Sequence, residues 1–129
     1  MLITVDASVI MAVVTNEPSK ASIVGSTRDT TLISPGSLPW EIGSALSSLF
    51  KRGRLNLEQA KEALNSYREI PIRLVDIDLD NAVGLAYQSN IYAYDAYILL
   101  CASTYKTPLL TLDKRMINLA KSKGLQLLR

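Results

Sequence analysis

From its first residue the chain alternates short β-branched or aliphatic runs with longer stretches in which apolar residues recur every three or four positions. Leu2-Ile3-Thr4-Val5 predicts a strand closing at Asp6, and Val9, Ile10, Val13 and Val14 predict a helix that runs out at Asn16 and Pro18. Thr31 to Ser34 reads as a second strand. Beyond Pro35 and Pro39, the stripe Ile42, Ala45, Leu46, Leu49 and Phe50 predicts an amphipathic helix that stops at Gly53. Asn56 with Gln59 three residues on forms a capping-box pattern ahead of Leu57, Ala60, Leu64 and Tyr67, and that helix must end before Pro71. Arg73 to Ile77 reads as a third strand, Asp80 to Ser89 as a helix, and Ala96 to Tyr105 as a nearly all-apolar, buried helix. Leu109-Leu110-Thr111-Leu112 has the continuous apolar character of a parallel strand covered on both faces. Asp113 then opens a helix ending at Gly124, and Leu125 to Leu128 is expected as a last strand. Strands alternating with helices predict an α/β fold in three layers, α/β/α, around a mostly parallel sheet. No repeat or linker interrupts residues 1–129, which are expected to form a single domain.

Composition narrows the chemistry. With 129 residues, 48% of them hydrophobic and 20% charged, the chain can bury one core, which excludes disordered and disulfide-stapled classes. The lone Cys101 lies in an apolar run, where a thiol usually acts as a small buried hydrophobe. No apolar run approaches the roughly 20 residues of a membrane span, and Met1 to Val5 lacks the pattern of a leader peptide, so a soluble cytoplasmic protein is expected. Histidine is absent, which excludes Ser-His-Asp and Cys-His nucleophiles and imidazole-held zinc. Carboxylates must therefore carry any proton transfer or metal binding. The net charge of +2 is unevenly spread. Residues 1–50 hold two bases and four acids, 51–73 six and three, 74–95 none and four, and 96–129 six and one. Local basic surface is thus available to a polyanion, although on charge alone ordinary solvated faces are the favoured reading of such blocks.

In parallel α/β sheets, ligands gather outside the carboxyl ends of the strands. Asp6 follows the first strand and Asp113 the fourth, Asp95 opens the buried helix, and Glu41 opens the amphipathic one. Each has a plainer reading, because Asp6, Asp95 and Asp113 also sit where aspartate caps a helix and Glu41 where a first-turn acid suits the helix dipole. Convergence of acids from four distant positions favours a shared cation over four separate caps.

These residues carry a resemblance. The set Val5-Asp6-Ala7-Ser8, Glu41 on a helix ending in Lys51-Arg52-Gly53-Arg54, Tyr94-Asp95-Ala96, and Leu110-Thr111-Leu112-Asp113-Lys114-Arg115 resembles a PIN domain across essentially the whole chain. At this length it is most similar to the VapC toxins of VapBC toxin–antitoxin systems. The resemblance implies a Mg²⁺- or Mn²⁺-dependent endoribonuclease, usually a homodimer, inhibited by a VapB antitoxin. It further implies Asp6, Glu41, Asp95 and Asp113 as metal-binding catalytic acids, supported by hydroxyl bonds from Ser8 and Thr111. The chemistry is consistent: clustered carboxylates cannot all stay ionised cheaply unless a hard cation sits among them, and all-oxygen ligation suits Mg²⁺ or Mn²⁺. Such a cation acidifies water and neutralises phosphate charge, supplying the nucleophile that a histidine-free chain lacks.

Lys51, Arg52, Arg54, Lys114 and Arg115 are candidate contacts for RNA phosphates, with solvated helix ends as the plainer reading. Tyr92, Tyr94 and Tyr97 crowd Asp95, where core or dimer packing is favoured over base stacking. Trp40, beside Glu41, fits either the core or a groove for an antitoxin helix. Asp76, Asp78 and Asp80 do not form a calcium loop, because Asn81 and Tyr87 stand where the turn glycine and bidentate glutamate belong. A haloacid-dehalogenase phosphatase requires a second aspartate at the Ser8 position, and a phospho-receiver requires an acid pair after the first strand. Two alternatives remain open at this point, an RNA-processing PIN nuclease and a catalytically silent PIN-like binding module.

Overall fold

The computed structural model describes residues 1–128. Four strands, β1 (Leu2–Val5), β2 (Thr31–Pro35), β3 (Ile72–Val75) and β4 (Leu109–Leu110), form one all-parallel sheet in the order β3-β2-β1-β4. Seven described helices connect them: α1 (Ala7–Val14), α2 (Lys20–Thr27), α3 (Leu38–Lys51), α4 (Leu57–Glu69), α5 (Leu79–Ser89), α6 (Ala93–Tyr105) and α7 (Lys114–Ser122). The central position of β1 matters most for the site. Its register sets Thr4 against Leu109 and Val5 against Leu110 on one side, and Thr4 against Ile33 on the other. The chain after β1 therefore leaves the sheet beside the segments that follow β2 and β4.

The strands are short and each face has its own apolar layer. Ile3, Val5 and Leu110 pack with Val9, Ile10, Leu38, Ile42 and Leu46 of α1 and α3 and with Ala60 and Ala63 of α4. On the opposite face, Leu109 packs with Ile98, Leu99 and Ala102 of α6 and Met116 and Ala120 of α7. Each fully buried aliphatic side chain contributes roughly 1.5–3 kcal/mol of burial free energy, so these two layers hold the sheet from both sides. Local signals set the ends: Asn56 and Gln59 form the expected capping box on α4, and α3 and α7 stop ahead of Gly53 and Gly124, both at positive φ.

Several expectations change, and the third strand runs Ile72–Val75 rather than Arg73 to Ile77. Helix α2 is unforeseen, because only Ile23 is buried in it and no apolar stripe marks it. Helix α6 starts at Ala93 rather than Ala96, which moves Asp95 inside its first turn. Strand β4 stops at Leu110 rather than Leu112: Thr111 turns its hydroxyl to Asp6, and Leu112 is exposed. The expected last strand contracts to a single parallel bridge, Leu109 to Leu127, held by bonds from Leu109 N to Gln126 O and from Leu128 N to Leu109 O.

Thr4, fully buried in β1, places its hydroxyl 2.6 Å from that of Thr107 and 3.6 Å from Cys101 Sγ. Burial pushes the Cys101 thiol up, which keeps it protonated and inert, as its apolar surroundings suggest. Removing one member of a buried hydroxyl pair strands the other, whereas removing both does not. Thr4→Val and Thr107→Val should each cost about 1–2 kcal/mol in urea unfolding, and the double variant clearly less than their sum; additive costs would contradict the pairing.

Candidate active site

Asp6 is the most constrained of the acids. As N-cap of α1 in extended conformation, its Oδ1 accepts from Ser8 N at 3.1 Å and Val9 N at 3.4 Å. The Ser8 hydroxyl donates to the same oxygen at 2.5 Å, and the Thr111 hydroxyl donates to Oδ2 at 2.5 Å. Those two hydroxyls in turn accept backbone N–H groups of the loop after β4, Leu112 N to Ser8 Oγ at 3.0 Å and Asp113 N to Thr111 Oγ1 at 3.1 Å. The carboxylate of Asp6 is thus the hub through which the first strand's end holds the fourth strand's exit. Asp113 caps α7, accepting from Arg115 N at 2.9 Å.

Asp95 and Glu41 come from helices. Tyr92, not Asp95, is the N-cap of α6, so Asp95 bonds no backbone there and its cap reading is excluded. Its Oδ2 lies 2.8 Å from the Arg115 guanidinium, a close charge contact without hydrogen-bond alignment, so this buried oxygen has no hydrogen-bond donor. Glu41, in the first turn of α3, accepts from the Ser37 hydroxyl at 2.8 Å. Ser37 was not singled out from sequence, although a hydroxyl four residues ahead of a first-turn acid is the signal that finds it.

Neighbouring acids repel Asp6, Glu41 and Asp95. Burial raises the carboxyl pKa of Asp6, with repulsion from Asp113 adding to it and the Ser8 and Thr111 hydroxyls opposing. Burial raises Glu41 likewise, against the Ser37 bond, with Asp6 and Asp95 both repelling it. Asp95 is raised by burial, lowered by Arg115 and raised again by Asp113. Repulsion thus links Asp6 with Asp113 and Glu41, and Asp95 with Glu41 and Asp113, which brings acids from four elements near one another beyond the carboxyl ends of the strands. Among the described residues, no three acids close on a point tightly enough to form a ready-made cation cage. The donor set still suits a hard divalent ion: every available ligand is an oxygen, and the carboxylates repel one another.

Other candidates fall differently. Lys51, Arg52 and Arg54 are exposed at the far end of α3; Arg52 is eleven residues beyond Glu41, roughly 16 Å along the axis, so the helix carries them away from the crevice. Lys114 and Arg115 lie beside it in the first turn of α7, and Arg115 contacts Asp95 instead of standing free. Trp40 is 73% exposed and Tyr92 78%, which excludes the core for both. Tyr94 is also exposed and meets the ring of Tyr97 edge-on at 5.7 Å. Asp78 caps α5 by accepting from Asp80 N and Asn81 N, a structural role.

A PIN domain family model matches residues 3–122. The chain belongs to the PIN domain family. No curated protein sequence matches it significantly. Among solved structures, this PIN domain is similar in fold to Rickettsia felis VapBC2 bound to a DNA fragment from its promoter, with TM-score 0.70 and 14% identity over 98% of this chain and 97% of that one. It is also similar to PAE2754 of Pyrobaculum aerophilum, with TM-score 0.66 and 22% identity over 98% and 83%. Mycobacterium tuberculosis VapC20, a Sarcin-Ricin loop cleaving toxin, matches with TM-score 0.63 and 14% identity over 98% of both chains. No described helix is long and apolar enough to cross a membrane.

Because burial and like charges raise Glu41 in the folded protein, its ionised form opposes folding above that raised value, and the penalty vanishes as pH falls to the unfolded range near 4.5. In EDTA at pH 7.5, Glu41→Gln should raise Tm by about 2–4 °C, with the gain shrinking toward pH 4.5. A loss of stability at both pH values would contradict the repulsion.

Proposed function

We propose that this PIN domain is a divalent-metal-dependent endoribonuclease, the toxin half of a VapBC-type pair, in which Asp6, Glu41, Asp95 and Asp113 hold Mg²⁺ or Mn²⁺ and carry the chemistry. The observation that carries the reading is the mutual repulsion among acids from four elements, where burial and neighbouring carboxylates hold the carboxyl pKa values of Asp6, Glu41 and Asp95 above their ordinary range. A bound divalent ion supplies Lewis-acid polarisation of a scissile phosphate and acidifies the attacking water. The chain's own residues prepare for it. Ser8 and Thr111 fix both oxygens of Asp6, so this ligand is oriented before any ion arrives. Ser37 does the same for one oxygen of Glu41. The cap on α7 fixes Asp113 in turn.

Unpaired RNA bases find stacking surfaces in the exposed rings of Trp40, Tyr92 and Tyr94, which adjoin Glu41 and Asp95 in the chain. Lys114, exposed beside Asp113, is suited to a backbone phosphate. Inhibition by a VapB-type antitoxin belongs to the same reading, supported by the fold shared with the VapBC2 structure, and the reading includes a homodimer.

The test is cleavage of single-stranded and structured RNA with Mn²⁺, with Mg²⁺ and with EDTA. Cleavage should require the ion, and Asp6→Asn and Asp95→Asn, both folded by circular dichroism, should lose at least about 100-fold in rate, the upper end of what outer-shell partners of metal ligands cost. Either variant retaining near-native cleavage would overturn the site assignment. Failure of the wild type to bind Mn²⁺ would favour a silent binding module.

A further inference from the structure

We propose that Arg115 is a built-in counter-ion that holds Asp95 until a divalent cation displaces it, and that the released guanidinium then takes an RNA phosphate; this rests on the metal-dependent reading above. The geometry points there directly. Arg115 engages two of the four acids at once, its backbone N–H donating to Asp113 Oδ1 at 2.9 Å and its guanidinium lying 2.8 Å from Asp95 Oδ2. The backbone bond anchors the residue at the rim, while the arm stays free to move: the Arg115 side chain is 59% exposed and that of Asp95 only 14%. The contact is an ion pair whose arginine side is open to solvent, so water and ions reach the guanidinium directly.

A guanidinium stays protonated at every working pH, so it is a permanent competitor for that oxygen. A divalent cation at Asp95 repels it as well as replacing it. Once released, a planar fork of donors at the rim matches a phosphate's paired oxygens. Empty, the crevice keeps part of its negative charge covered; filled, it presents both the cation and a free arginine to RNA.

The experiment is calorimetric titration of Mn²⁺ into the RNA-free protein for wild type, Arg115→Met, Arg115→Lys, Asp95→Asn and the Asp95→Asn/Arg115→Met double variant. Arg115→Met should bind Mn²⁺ roughly fivefold more tightly, the factor that a partly exposed ion pair is worth. Arg115→Lys should stay near wild type, and the gain should shrink in the Asp95→Asn background. Binding of a short uridine oligomer in Ca²⁺, followed by fluorescence anisotropy, should weaken in Arg115→Met with its salt slope reduced by about 1. Equal or weaker Mn²⁺ binding by Arg115→Met, with wild type binding, would overturn the counter-ion and leave the metal reading standing. Tighter Mn²⁺ with an unchanged RNA salt slope would overturn the hand-over to phosphate. A wild type that binds no Mn²⁺ would overturn both.

Discussion

The hydrogen bond from the Thr111 hydroxyl to Asp6 joins positions 105 residues apart, and the organisation of the crevice depends on it. It exists because β1 lies centrally in a parallel sheet, so that the ends of β1 and β4 leave on the same side. A buried carboxylate is costly unless its oxygens are satisfied. Here α1's first backbone N–H groups and two hydroxyls satisfy Asp6, and those hydroxyls also accept the N–H groups of Leu112 and Asp113. One acid thereby caps a helix, ends a strand and fixes the loop that delivers Asp113 and Arg115.

What that fixed frame gathers is repulsive. Asp6, Glu41 and Asp95 each have raised carboxyl pKa values, burial being the first cause in every case and a neighbouring acid a further one. Folding brings these groups together against their electrostatics because the apolar layers on both faces of the sheet outweigh the penalty. Functional sites are where such unfavourable arrangements are kept. The chain relieves the repulsion only in part, with Ser37 on Glu41 and Arg115 on Asp95, and the remainder is what a hard cation would neutralise.

Much of this was legible in the residues. The strand before Asp6, the stripe on α3, the capping box at Asn56 and the glycine stops at Gly53 and Gly124 are local signals, and each survives folding because tertiary packing agrees with it. The resemblance implied hydroxyl bonds from Ser8 and Thr111, and both hydroxyls donate to Asp6. What escaped was set by tertiary partners. Helix α2 buries little and so leaves no periodicity, and Thr111 leaves the sheet because Asp6 draws its hydroxyl. The basic residues after α3 are near Glu41 only in the linear sequence; the length of the helix separates them. The Arg115–Asp95 contact spans two helices, and nothing in either local sequence announces it.

The most direct test of the shared-cation account is an anomalous-difference map from crystals soaked in Mn²⁺. The account predicts a peak among the carboxylates of Asp6, Glu41, Asp95 and Asp113, with the Arg115 guanidinium turned away from Asp95. No peak at saturating Mn²⁺, or a peak away from these acids with Arg115 still on Asp95, would contradict it.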